Sequence, residues 1–143
     1  MIAPAAGGGA GGVLLDANVL IDVITGSPAW GAWSAREIAA VVDRGAAVIN
    51  PIVFAELAAN FGSAGALDAA VPPERYRRED LPWDAAYLAG RAFVRYRRNG
   101  GDRRTPMPDF YVGAHALVRG YALLTRDLTL YRTYFPSVPL ITP

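Results

Sequence analysis

The chain has 143 residues, of which 52% are hydrophobic and 19% charged, so it can form one domain around a hydrophobic core. The net charge of +1 points to no class of partner, and the absence of cysteine excludes disulfides and thiolate metal sites. No apolar run approaches the ~20 residues of a membrane span. The lack of cysteine is compatible with the reducing cytoplasm, which is the expected location.

The basic residues are all arginines and are unevenly distributed. Nine of the fourteen fall within residues 75–104, where only four acidic residues occur. Arginine offers a planar fork of donors that suits phosphate, so this segment is either a nucleic-acid contact or a solvated helix face. The absence of lysine excludes a P-loop and disfavours phosphoryl-aspartate enzymes and receiver domains, which normally use a lysine.

The order of apolar segments predicts a single α/β domain at residues 13–143. Residues 1–12, MIAPAAGGGAGG, are small and Gly-rich and are expected to be a flexible tail. They lack the basic start and the apolar centre of a signal peptide. Short apolar runs then alternate with helical segments, which predicts a parallel sheet covered on both faces. The predicted strands are residues 13–16, 46–49, 76–81, 122–125 and 138–141. The predicted helices are residues 18–24, 30–43, one opened by Asn50 and Pro51, 64–70, 83–98, 109–118 and 127–134.

Four acidic residues lie at strand ends or in early helix turns: Asp16, Glu56, Asp109 and Asp127. Asp16 and Asp127 follow predicted strands one and four, whose carboxyl ends share one edge of a parallel sheet. Asp109 and Glu56 lie near the starts of helices that can point to the same edge. Carboxylates at close range take up protons unless a cation compensates them, and Mg²⁺ and Mn²⁺ prefer oxygen ligands. The four acids therefore predict a metal site that can activate water for phosphoryl displacement.

Each acid also has a structural interpretation. Asp109 could be only a favourable first-turn acid, and Asp127 only a helix cap. Glu56 is harder to explain in this way, because an acid within an apolar helical turn is costly unless it is paired or binds a cation. Asp22 is predicted to point away from the site and to be structural. His115, the single histidine, is predicted to be a core residue.

Four segments, in this order and spacing, resemble a PIN domain, and specifically the VapC-type toxins of bacterial toxin–antitoxin pairs. They are residues 15–22 (LDANVLID), 53–57 (VFAEL), 108–116 (PDFYVGAHA), and 124–127 (LTRD) followed by 134–136 (YFP). Each segment alone is a weak signal, whereas together they extend over nearly all of the chain except the tail. The Gly-rich tail is not part of the family pattern.

The resemblance implies a three-layer α/β/α fold with a parallel sheet of strand order 3-2-1-4-5. It also implies an Mg²⁺-dependent endoribonuclease, with Mn²⁺ as a possible substitute, in which Asp16, Glu56, Asp109 and Asp127 are the catalytic metal ligands. A water activated by the metal would cut RNA and leave a 5′-phosphate and a 3′-hydroxyl. The substrate could be tRNA, rRNA or mRNA. A homodimer and a small VapB-like antitoxin partner are implied as well.

Further residues take expected roles from this resemblance and from their positions. Asn18 and Thr125 match positions near the pocket and are expected to support it through hydrogen bonds to the acids or to a metal-bound water. Arg103 and Arg104 lie in the loop just before Asp109 and are expected, together with Arg97 or Arg98, to bind RNA phosphates near the metals.

Two other functions stay open. One is a PIN-like module that binds RNA or a protein without cutting. The other is an Mg²⁺-dependent phosphatase, which is disfavoured because it would need an acid at position 18, where the chain has asparagine. Trp30, Trp33 and Trp83 are expected to be core or dimer contacts rather than base-stacking platforms.

Overall fold

The described part of the protein is one parallel sheet flanked by helices. A computed structural model describes residues 11–101 and 107–143. Its strands are β1 (Val13–Leu15), β2 (Ala47–Ile49), β3 (Arg77–Arg78), β4 (Ala122–Leu124) and β5 (Leu140–Ile141). Its helices are α1 (Ala17–Ile24), α2 (Gly31–Asp43), α3 (Pro51–Leu57), α4 (Ala64–Ala70), α5 (Trp83–Arg98), α6 (Met107–Arg119) and α7 (Thr129–Tyr134). A 3₁₀ turn, Ala58–Asn60, follows α3 directly.

The strand order is β3-β2-β1-β4-β5 with every pair parallel, which confirms the predicted topology. β1 is central, and all three of its residues are buried because helices cover the sheet. Val13 stands between Ala47 of β2 and Ala122 of β4. The residue that follows β1 therefore emerges at the middle of the carboxyl edge of the sheet. Among the described residues, no helix is long and apolar enough to span a membrane.

The two edge strands are shorter than predicted. β3 contains only two exposed arginines instead of residues 76–81, although the next residue, Glu79, still donates its N–H to Ile49 O at 3.0 Å. β5 begins at residue 140 instead of 138. The N–H of Val138 is bound to Phe135 O in a turn, and Pro139 has no N–H to donate. Residues 1–10 of the predicted tail, and both Arg103 and Arg104, lie outside the described residues.

A cluster of aromatic rings holds the beginning of α6 in place. Phe110 is fully buried, and four rings surround it at centroid distances of 5.4 to 6.3 Å: Phe93, Tyr96, Tyr134 and Phe135. Gly113 lets Phe135 lie directly against the helix, since a Cβ at this position would be 2.5 Å from the phenyl Cδ2. Small residues on α6 thus allow close packing next to Asp109.

The role of Gly113 can be tested against a matched glycine. Gly113→Ala gains helix propensity but forces the buried Phe135 ring to move, so we expect a loss of ~1–3 kcal/mol in the free energy of unfolding. Gly90→Ala in α5 meets no atom within 4 Å and should instead stabilise the fold by up to ~1 kcal/mol. Urea unfolding of both variants measures the difference. Equal effects of the two substitutions would contradict the packing described here.

Candidate metal centre

Asp16 is a buried carboxylate held by neutral donors. It follows the central strand and is only 3% exposed. Its Oδ2 accepts hydrogen bonds from Thr125 Oγ1 at 2.8 Å, from the Tyr131 hydroxyl at 2.9 Å and from Asn18 Nδ2 at 3.4 Å. Burial raises the pKa of Asp16, the bonds from Thr125 and Tyr131 lower it, and the charge of Asp127 raises it. These donors orient the carboxylate without cancelling its charge.

Tyr131 is a site residue that the sequence analysis missed. It lies in α7, is fully buried, and donates its hydroxyl hydrogen to Asp16. Burial and then the charge of Asp16 raise its pKa well above 10, so the hydroxyl remains a donor. A buried tyrosine needs a partner for its hydroxyl, but the sequence does not show that this partner lies 115 residues earlier in the chain.

Thr125 and Asn18 connect the end of β4 to the start of α1. The Thr125 hydroxyl accepts from Asn18 Nδ2 at 3.1 Å and from the Asp127 N–H at 3.0 Å, while it donates to Asp16. Asn18 Oδ1 accepts from the Arg126 N–H at 3.3 Å. The sequence predicted that the last helix begins at residue 127, whereas α7 begins at residue 129.

The Asp22 carboxylate forms hydrogen bonds and an ion pair with residues outside the group of four acids. It is 4% exposed and accepts from Ser34 Oγ at 2.8 Å and from Arg126 Nη2 at 2.9 Å. The Arg126 guanidinium also lies 5.4 Å from the ring centroid of Trp30. Asp22 therefore joins α1 to α2 and to the end of β4, which agrees with its structural interpretation.

Glu56 and Asp109 are half-buried acids, and among the described residues no cationic side chain forms an ion pair with either. Burial, and then the charge of Asp16, raises the pKa of Glu56. Glu56 Oε1 is buried and has no hydrogen-bond partner among the described residues. The pKa of Asp109 is raised to about 7 by burial and by the charges of Asp16, Glu56 and Asp127. The structure therefore brings the four predicted acids close enough to affect one another's ionisation.

The residues fit a divalent cation in chemistry and in charge. Within the described ranges, no three His, Cys, Asp or Glu side chains already converge as a metal cage. The unpartnered Glu56 Oε1 and the raised pKa of Asp109 are, however, features that a hard cation would relieve. Oxygen donors of this kind suit Mg²⁺ and Mn²⁺. His115 is fully buried and contacts Asn50 and Glu79 instead of the four acids.

The ionisation of Asp109 predicts how the stability of the metal-free protein changes with pH. Its folded-state pKa of about 7 exceeds the ordinary value of 3.8, so the protonated form favours folding, and this stability is lost as the pH rises through that interval. Between about pH 5 and about pH 8, we expect the wild type to lose ~1–2 kcal/mol of unfolding free energy relative to Asp109→Asn, allowing for solvent screening.

Urea unfolding of both proteins at each pH measures this difference. Saturating Mn²⁺ should abolish the loss of stability of the wild type with rising pH, since a bound cation stabilises the charged carboxylate. Parallel pH profiles for the wild type and Asp109→Asn would contradict the repulsion among the acids.

Comparisons with known proteins identify the family. A family model described as PIN domain matches residues 13–136. A comparison with curated protein sequences gives no match. The fold is similar to a chain of VapBC2 from Rickettsia felis, solved with a promoter DNA fragment, at 15% identity and a TM-score of 0.69, covering 92% of this chain and 98% of that one.

Two further VapBC structures show the same fold. A chain of DNA-bound VapBC from Salmonella typhimurium is 22% identical with a TM-score of 0.67, covering 92% of this chain and 97% of that one. A chain of VapBC-1 from nontypeable Haemophilus influenzae is 19% identical with a TM-score of 0.65, covering 91% and 96%. The family match extends over most of the chain and includes all four acids of the site. The chain therefore belongs to the PIN-domain family, which confirms the family predicted from its sequence segments.

Proposed function

We propose that this protein is a metal-dependent endoribonuclease toxin of the VapC type, neutralised by a cognate antitoxin. The observation that carries the proposal is the pair of half-buried acids Glu56 and Asp109: Glu56 Oε1 has no hydrogen-bond partner among the described residues, and the pKa of Asp109 is raised to about 7. PIN domains are generally nucleases, and membership of that family supports the same chemistry here. The similarity to VapBC structures supports the toxin–antitoxin context.

Asp16, Glu56, Asp109 and Asp127 would hold Mg²⁺ or Mn²⁺. When bound, the ion supplies a Lewis acid that makes water more acidic and offsets the charge of the phosphodiester. Hydrolysis adds the water oxygen to phosphorus and breaks the bond from phosphorus to O3′. The proton lost by the water balances the one gained by O3′, and the products are a 5′-phosphate and a 3′-hydroxyl.

The supporting residues of this chain act on the orientation of the acids. Thr125 and Tyr131 hold Asp16 Oδ2, so the carboxylate keeps one orientation without help from the ion. Asn18 ties Asp16 to Thr125 through its amide group. We infer that this preorganisation lowers the cost of binding the cation and the scissile phosphate together.

Partners follow from the same proposal. A VapB-like antitoxin would cover the toxin, and tRNA, rRNA or mRNA in the cytoplasm would be the substrate.

We also propose a homodimer, supported by an apolar stripe on the outer side of α5. In this stripe Trp83 is 90% exposed, Tyr87 69% and Val94 36%, so Trp83 is not a core residue of the single chain.

Cleavage of RNA tests the activity directly. Asp16→Asn and Asp109→Asn each remove a charged ligand and should reduce cleavage by at least ~100-fold while the fold is kept. Asp43→Asn is the matched control, since the one ion pair that this exposed acid forms with a described residue is at 3.9 Å, to Arg75, and the variant should cut like the wild type. The assay uses antitoxin-free protein, total cellular RNA, and Mg²⁺, Mn²⁺ or a chelator, with mapping of the cut ends.

Discrete cuts with 5′-phosphates, dependent on metal and absent in both site variants, are the expected result. Cutting at the wild-type rate by either site variant would contradict the proposed ligands. Binding of RNA by all the proteins without any cleavage would favour the non-catalytic alternative.

The proposed RNA contacts of Arg103 and Arg104 need a separate test, because both residues lie outside the described ranges. In an Asp16→Asn background, replacing both with alanine should reduce the slope of log affinity against log salt by about 1.4, as two phosphate contacts to single-stranded RNA are lost. A double alanine variant of the exposed Arg36 and Arg44 removes the same charge and should leave the slope nearly unchanged. Equal slopes for both double variants would contradict a specific phosphate contact.

A further inference from the structure

Asn50 joins β2 to α3 and has one fixed orientation. It is 2% exposed, and its Oδ1 accepts the Val53 N–H at 2.9 Å as the N-cap of α3. Because the amide oxygen is committed to this cap, the amide nitrogen must point the other way. Asn50 Nδ2 lies 2.9 Å from Nδ1 of His115 in α6. The amide is therefore the donor and His115 Nδ1 the acceptor.

This assignment fixes the tautomer of His115. With Nδ1 accepting, the ring is neutral and carries its proton on Nε2, which donates to Glu79 Oε1 at 2.7 Å. Glu79 is itself held by the Tyr121 hydroxyl at 2.6 Å and by Arg119 Nε at 3.2 Å. Burial lowers the pKa of His115 against the opposing effect of Glu79, in agreement with a neutral ring. Both imidazole nitrogens of His115 therefore form hydrogen bonds, to Asn50 and Glu79 and not to any of the four acids.

The same two helices carry Glu56 and Asp109. Glu56 lies six residues after Asn50, and Asp109 lies six residues before His115, which is ~9 Å along each helix axis. α3 and α6 pack against each other, and the Asn50–His115 hydrogen bond joins them. The hydrogen bond therefore fixes α3, which carries Glu56, against α6, which carries Asp109.

We propose that the Asn50–His115 hydrogen bond is a positioning link that sets the separation of Glu56 and Asp109, and with it their affinity for a divalent cation. The inference rests on the metal site of the proposed function. When both carboxylates are ionised, as they would be around a bound cation, the like charges of Glu56 and Asp109 would push α3 and α6 apart. A neutral, buried bond between the same helices opposes that movement and keeps both carboxylates within reach of one ion.

Two substitutions at position 115 distinguish an effect of the Asn50–His115 hydrogen bond on cation affinity from an effect on the free energy of unfolding. His115→Asn places an amide oxygen where Nδ1 stands and retains the acceptor for Asn50, but it loses the bond to Glu79. His115→Gln extends to the position of Nε2 and can keep the bond to Glu79, but it loses the acceptor. The link to α3 is therefore retained only in His115→Asn.

Isothermal titration calorimetry with Mn²⁺ alone measures the effect without any RNA. We expect His115→Gln to bind Mn²⁺ on the order of 10- to 100-fold more weakly than the wild type, as for other residues that orient metal ligands. His115→Asn should stay within about threefold of the wild type, even where both variants lose thermal stability. Asn50→Ser provides a test from the other helix, since serine can cap α3 but is too short to reach His115.

Ser34→Ala is the matched control, because it removes another buried hydrogen bond between helices, to Asp22, without touching α3 or α6. It should lower the unfolding temperature and leave the affinity for Mn²⁺ unchanged. Equal Mn²⁺ affinities for the wild type, His115→Gln and Asn50→Ser would overturn the positioning role while leaving the metal site intact. A wild type that binds no Mn²⁺ would instead remove the metal site itself, and the positioning role with it.

Discussion

Repulsion among buried carboxylates is the physical constraint on which the arrangement of this protein depends. Asp22 in α1 and Asp16 at its N-cap are both buried, but their charges are stabilised in different ways. Asp22 is neutralised by the Arg126 guanidinium, whose Nη2 lies 2.9 Å away, whereas the side chains that donate to Asp16 in the described part of the chain are all neutral: Thr125, Tyr131 and Asn18. An arginine beside Asp16 would satisfy its charge and occupy the position of a cation. Neutral donors fix its orientation and leave its charge available.

The rest of the site follows from the same constraint. In the described part of the chain no ion pair holds Glu56 or Asp109 near Asp16, and burial together with the neighbouring carboxylate charges raises the pKa of both acids. Folding stability is therefore lower than it would be with neutral residues, and binding of a divalent ion would recover the difference. The aromatic cluster around Phe110 packs against the first turn of α6, which carries Asp109.

The sequence predicted the central strands and the four acids because both depend on local patterns. Short apolar runs give β1, β2 and β4, and an acid directly after a buried strand must lie at the sheet edge. The missed features depend on contacts between distant residues. Tyr131 acts on an acid 115 positions away, and His115 reaches Glu79 across 36 positions. The observed ends of β3 and β5 differ from the predicted ones because backbone hydrogen bonds in turns and a proline, rather than apolar character, determine where strand pairing begins.

The central claim is that the four acids bind a catalytic divalent cation. Anomalous diffraction from crystals soaked in Mn²⁺ tests it most directly, because the ion is located independently of any activity. The account predicts an anomalous peak within coordination distance of carboxylate oxygens from Asp16, Glu56 and Asp109, with loss of the peak in Asp16→Asn crystals. Manganese bound elsewhere in the protein, with these carboxylates unliganded, would contradict it.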